Sequence, residues 1–203
     1  MTRNAINIPN LLSSFRILLV PVLVWLARVQ QESWFLAVLT VALATDALDG
    51  YLARKLNQTS DLGAKLDSWG DSLTYGAMVL ALIWLWPGIM EQERVFVFIG
   101  MSCYLVPTLM GLLKYRELPS FHTWSAKASA VAMVPAYYLM VMADQSLLFR
   151  AVVIFDIWVA VEAVLITAML RRNRNNVPSV FHAREIVRRQ TARLREKISN
   201  RSY

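Results

Sequence analysis

Residues 45–71 read TDALDGYLARKLNQTSDLGAKLDSWGD and hold five of the chain's seven aspartates. They sit in a chain of 203 residues that is 57% hydrophobic, with a mean hydropathy of +0.43. That composition is too apolar for a soluble domain of this size, and the apolar residues come in blocks of the roughly 20 residues needed to cross a bilayer. A carboxylate placed among them costs roughly 2.5–3.5 kcal/mol on insertion scales, so a cluster of aspartates marks a functional site.

Working outward, six spans are predicted: Asn10–Arg28, Trp34–Arg54, Asp67–Trp86, Val95–Leu113, Ala126–Ala143 and Leu147–Leu170. The short connections favour one compact six-transmembrane-helix bundle, an all-α integral membrane domain over residues 1–170 followed by a basic tail over 171–203. Arg16 interrupts the first apolar run and no small-residue cleavage site follows it, so this block reads as a retained helix rather than a signal peptide. The single cysteine, Cys103, excludes an intrachain disulfide or a cysteine-based zinc cluster.

Arg54, Lys55, Lys65, Lys114, Arg116 and Lys127 fall at one set of turns, with Arg3 before the first span and ten more basic residues after Leu170. Only Arg28, Arg94 and Arg150 lie at the opposite ends. The positive-inside bias predicts cytoplasmic termini, an inner (plasma) membrane location and a site opening to the cytoplasm. The net charge of +7 is then a membrane-surface feature and not a nucleic-acid footprint. Beyond Ser179, Val180, Val187, Leu194 and Ile198 recur at helical spacing among Arg184, Arg188, Arg195 and Lys197. This predicts a basic amphipathic helix on the cytoplasmic leaflet, in contact with anionic lipid and dispensable for turnover.

Within the quoted stretch, Asp46 and Asp49 are three apart, and Gly50, Ala53 and Arg54 share their face to within about 140° at ~100° per residue. A second helix beginning near Ser60 or Asp61 aligns Gly63, Asp67 and Asp71 at i, i+4 steps. A short turn makes the two helices antiparallel, so four carboxylates can converge. Such a group cannot stay fully ionised without cations. Oxygen-only ligands select Mg²⁺, Mn²⁺ or Ca²⁺ over Zn²⁺. Two ions held by four aspartates suit a phosphate or pyrophosphate whose attacking and leaving oxygens both need stabilising. Gly50, Ala53 and Gly63 leave a slot for a substrate or allow close helix packing, and their spacing alone fits both.

The pattern Asp46-x2-Asp49-Gly50-x2-Ala53-Arg54-x8-Gly63-x3-Asp67-x3-Asp71 resembles the full signature of the CDP-alcohol phosphotransferases, integral-membrane enzymes that make phospholipid head-group linkages. All eight positions match. PNLLSSFR, Pro9–Arg16, is similar to the segment that commonly opens these proteins, and the resemblance covers residues 8–170. It implies a CDP-diacylglycerol donor, attack by an alcohol on the lipid-side phosphorus, and release of CMP. It further implies two divalent cations, Mg²⁺ or Mn²⁺, on Asp46, Asp49, Asp67 and Asp71, with Asp71 also the general base. Asp46, Asp49, Gly50, Ala53, Arg54 and Gly63 would receive the CDP donor, and a homodimer is expected.

The acceptor is read less directly. Lys114, Arg116, His122 and Lys127 lie at the same membrane face as the aspartates by sequence and form a candidate phosphate-binding patch, although positive-inside charge explains them equally. Glycerol 3-phosphate is the first candidate acceptor, with inositol phosphate, serine or another small alcohol as alternatives. Ser68 follows Asp67 where the glycerophosphate-using branch usually carries proline. A proton-coupled carrier is the rival class; Asp156 and Glu162 would suit its relay, or would pair with Arg16.

Overall fold

The computed structural model describes residues 8–56, 61–117, 123–170, 177–186 and 188–189. Among these the chain is helical throughout, with six long helices: α1 (Ile8–Arg28), α2 (Glu32–Lys55), α3 (Asp61–Trp84), α4 (Pro87–Tyr115), α5 (Trp124–Ala143) and α6 (Leu147–Met169). The chain divides into two compact units, Met1–Gln92 and Glu93–Tyr203.

In the first unit α1 packs against both α2 and α3. The buried contacts alternate small and large side chains, Ala27, Ala42, Ala77 and Ala81 beside Leu23, Phe35 and Leu39. Small residues let apolar helices approach closely, which is how helices associate when lipid supplies no hydrophobic drive. Gln30, with φ of 61°, ends α1, and the Gln31 N–H donates back to the Leu26 carbonyl at 3.0 Å. The Gln30 side chain donates to the Trp84 carbonyl at 2.6 Å, tying this turn to the end of α3. Phe35 meets Trp86 edge to face, centroids 6.0 Å apart.

The second unit is built from α4, α5 and α6. Thr123 caps α5, accepting from the Ala126 N–H at 3.2 Å, and Asp144 closes it in the left-handed region with φ of 53°. α5 then packs on α6. Glu93 and Arg150 join α4 to α6 through two charge-assisted bonds of 2.9 and 2.6 Å. At the other end, Lys114 Nζ donates to the Thr167 and Ala168 carbonyls at 2.7 and 2.9 Å, and the Tyr115 hydroxyl donates to the carbonyls of Thr167 and Leu170 at 3.0 and 3.1 Å. These are last-turn carbonyls of α6, which have no partner within their own helix.

Five of the helices, all but α3, are long and apolar enough to cross a membrane. The sequence had α3 as a sixth span beginning at Asp67. The helix itself begins at Asp61, as the aspartate spacing predicted, so Asp61, Lys65, Asp67 and Asp71 all fall in its first half and keep it below the hydropathy of a free-standing span.

The described part of the tail packs on the chain itself. A helical stretch resumes at Val180, and Val177 and Ala183 are buried against Ile166 and Leu170, with Tyr115, Val180 and Ile186 packed around them. Glu162 accepts from the Val180 N–H at 3.2 Å, and the Trp124 N–H donates to the Pro178 carbonyl at 3.2 Å. Of the apolar face read as bilayer-directed, Val180 thus packs at the end of α6. Val187, Leu194 and Ile198 lie outside the described residues. The outer face keeps Arg184, Arg188 and Arg189 exposed.

Truncation after Asn176 should therefore destabilise the chain and not merely release it from lipid. Losing the Val177 contact and its neighbours costs about 3 kcal/mol, which corresponds to roughly 6–12 °C in the melting temperature of a chain this size. A thermal melt in detergent with an unchanged midpoint would contradict this packing. Glu93 and Arg150 should respond unequally. Glu93 is 1% exposed and Arg150 47%, so Arg150→Met strands the less exposed partner and should lower the melting temperature. Glu93→Gln leaves a cation that reaches water and should lower it less, as the same melts will register.

Candidate active site

α1 is an apolar helix interrupted on one side by Asn10, Ser13 and Arg16, three residues apart and all buried. A guanidinium at 2% exposure needs anionic partners, because an uncompensated buried charge costs several kcal/mol. Arg16 finds three. Its Nη1 donates to Oδ1 of Asp46 and, at 2.9 Å, to Oδ1 of Asp71; its Nη2 donates to Oδ1 of Asp67 at 3.0 Å and to the Asp67 carbonyl at 3.1 Å. The fourth aspartate is met one turn earlier, where the Ser13 hydroxyl donates to Oδ2 of Asp49 at 2.7 Å. One oxygen of every signature carboxylate is thus held from α1.

The helical spacing read from the sequence explains the rest. Asp46 and Asp49 project from α2, and Asp67 and Asp71 from α3, toward the same polar stripe. Oxygens of Asp46, Asp49 and Asp67 lie within 4.8 Å of one another. Three carboxylates at that separation fit a hard cation, since ligands about 2.0–2.1 Å from Mg²⁺ are themselves about 3–4 Å apart in octahedral geometry. One guanidinium against four carboxylates leaves an excess of three negative charges, and like charges this close need further cations to remain ionised. Asp71 joins the group through Arg16 and is the most exposed of the three carboxylates that Arg16 holds, at 47% against 38% for Asp46 and 28% for Asp67.

Gly50 and Gly63 are half-buried on the two helices that carry the carboxylates. Ala53 and Arg54 belong to the last turns of α2, but their side chains are outside the described set, as is His122. The remaining basic candidates belong to the second unit. Lys114 is engaged with the α6 carbonyls. Arg116 is exposed in the left-handed region with φ of 58°. Lys127 is exposed, with its ammonium 5.4 Å from the centre of the Trp124 ring.

Arg16 gives both Nη atoms to α2 and α3, and within the second unit Asp156 accepts from Ser129 and Glu162 from Ser125 and the Val180 amide. Ser13 and Arg16 as partners of the aspartates were missed in the sequence. Their signal was a polar residue at every third position of an otherwise apolar helix.

A family of known proteins matches the chain. Residues 6–169 fit the description "CDP-alcohol phosphatidyltransferase". Among curated relatives, the chain is 30% identical over 152 residues to a protein of Streptomyces coelicolor named "Cardiolipin synthase (CMP-forming)", covering 71% of this chain and 69% of that one. It is 40% identical over 80 residues to the "CDP-diacylglycerol--glycerol-3-phosphate 3-phosphatidyltransferase" of Pseudomonas fluorescens, covering 38% of this chain and 41% of the relative. A protein of the same name from Wigglesworthia glossinidia brevipalpis is 32% identical over 125 residues, 60% of this chain and 62% of its own length. The chain thus spans less than two thirds of these last two relatives. No solved structure matches. With the signature carboxylates gathered on one polar stripe and the match running across all six helices, the chain belongs to the CDP-alcohol phosphatidyltransferase family.

Proposed function

We propose that this membrane enzyme moves a phosphatidyl group from CDP-diacylglycerol to the hydroxyl of a small polar alcohol, releasing CMP, with glycerol 3-phosphate as the acceptor. The observation that carries the reading is the group of Asp46, Asp49 and Asp67, with Asp71 beside it. Two relatives bearing the glycerol-3-phosphate name support the acceptor. A second reading, cardiolipin formation, is kept because a relative of that name aligns over more of the chain.

In the reaction, a new bond forms between the acceptor oxygen and the lipid-side phosphorus, and the bond from that phosphorus to the oxygen of CMP breaks. Asp46, Asp49, Asp67 and Asp71 would hold divalent cations, Mg²⁺ or Mn²⁺, which when bound neutralise the diphosphate and the departing CMP. Asp71, half-exposed, is suited to taking the acceptor's hydroxyl proton. Gly50, Ala53 and Gly63 would make room for the cytidine nucleotide, with Arg54 near it. Lys127 is a better candidate for the acceptor's phosphate than Lys114, whose ammonium is already engaged with the α6 carbonyls.

α3 is assigned as the sixth span. Its 24 residues reach about 36 Å at ~1.5 Å per residue, and three of its charged groups are accounted for when Asp67 and Asp71 face Arg16 and Lys65 stays at the membrane surface. The charge distribution supports cytoplasmic termini in an inner membrane. The exposed face of Arg184, Arg188 and Arg189 is suited to anionic lipid. A homodimer is part of the same reading.

Purified protein given CDP-diacylglycerol, Mg²⁺ or Mn²⁺ and a panel of alcohols should release CMP with glycerol 3-phosphate, and the lipid product separates this from cardiolipin formation. CMP release unaffected by chelation would overturn the role of the carboxylates. Asp46→Asn should weaken both cation and donor binding. Asp71→Asn should keep donor binding while turnover drops by about 10²–10⁴, the usual worth of a general base; turnover near the parent's would remove Asp71 from that role. Lys127→Ala should raise the KM for glycerol 3-phosphate several-fold and leave the donor KM unchanged. An unaltered acceptor KM would return Lys127 to positive-inside charge.

A further inference from the structure

Arg16 is fixed by more than its hydrogen bonds. Gly70, buried on α3 immediately before Asp71, lies against the guanidinium, where a Cβ would come within 2.7 Å of Nε, 2.8 Å of Nη2 and 3.0 Å of Cζ. No real side-chain carbon sits that close, so any residue other than glycine must move the guanidinium. Nε is itself buried without a hydrogen-bond partner. Nε is therefore located by the shape of α3, while Nη2 beside it is held by Asp67 and Nη1 by Asp46 and Asp71.

We infer that Arg16, seated by Gly70, is a positioning residue: it sets the separations of Asp46, Asp67 and Asp71 and so the affinity of the group for a divalent cation. Neither position is among the eight signature residues. The inference rests on the metal-dependent reading above. Arg16 takes one oxygen from each of three carboxylates and leaves the other, while Ser13 does the same for Asp49. Groups that orient ligands in this way are typically worth 10–100-fold in metal affinity.

The opposite role is physically reasonable, because a guanidinium also repels a cation and competes for the same oxygens. Geometry decides between them. Asp46 and Asp71 are more than a third exposed, so without Arg16 their mutual repulsion would swing them toward water and apart. The two roles predict opposite signs for a variant that keeps the charge but displaces it, and Gly70→Ala is that variant. Alanine is also a better helix former than glycine, so the change does not weaken α3 locally.

The test is Mn²⁺ binding to the purified full chain in detergent, followed by loss of the free-ion electron paramagnetic resonance signal, with no donor or acceptor present. Arg16→Gln should weaken binding about 10–100-fold, and Gly70→Ala should weaken it by a smaller factor, because it displaces the guanidinium tip without removing it. In the double variant Gly70→Ala should add nothing to Arg16→Gln, because there is no guanidinium left to displace. Elution volume and thermal midpoint identify any variant that has lost its fold, and Gly70→Ala carries the conclusion if Arg16→Gln has. Unchanged or tighter Mn²⁺ binding in folded Gly70→Ala, or full additivity in the double variant, overturns the inference while leaving the enzyme reading intact. A parent that binds no Mn²⁺, or Asp46→Asn binding it as the parent does, removes the metal reading and this inference with it.

Discussion

A guanidinium buried in an apolar helix and four carboxylates on two neighbouring helices are each untenable alone in a membrane. Together they neutralise much of one another's cost. That exchange explains why α1 is the helix against which both α2 and α3 pack, and why its polar residues recur at every third position instead of being scattered. The carboxylates meet where α1 holds them, so the first unit's helix arrangement and its chemistry have one cause. Ser13 extends the same logic to Asp49, the most buried of the four, with a neutral donor in place of a charged one.

The carboxylate stripes were legible because helical periodicity is local. Asp46 and Asp49, then Gly63, Asp67 and Asp71, are placed by spacings of three and four, and α3 does start at Asp61. Arg16 was not legible in the same way. Its partners stand 30, 51 and 55 residues away, and nothing in a periodic pattern says which of several distant carboxylates a buried cation will meet. Asp156 and Glu162 were equally plausible by charge, but they are satisfied by nearby serine hydroxyls.

The tail illustrates a different limit. Its amphipathic pattern was visible, but an apolar stripe specifies only that something apolar covers it. A bilayer and the uncovered end of α6 both qualify. For the described part the occupant is α6: Val177 and Ala183 are buried against Ile166 and Leu170, and the Glu162 carboxylate accepts from the Val180 amide. Likewise the basic residues near the ends of α4 and α5 read as one charge cluster, yet Lys114 closes the end of α6 while Lys127 stays exposed over Trp124.

α3 is too charged to qualify as a span by itself, and the cation that makes two of its carboxylates tolerable lies in α1. In a chain synthesised from its N-terminus, that partner is already made when α3 emerges. The charge compensation that the sequence of α3 lacks is thus supplied from a helix made before it, so the order of the helices along the chain sets when α3 can first meet its counter-charge.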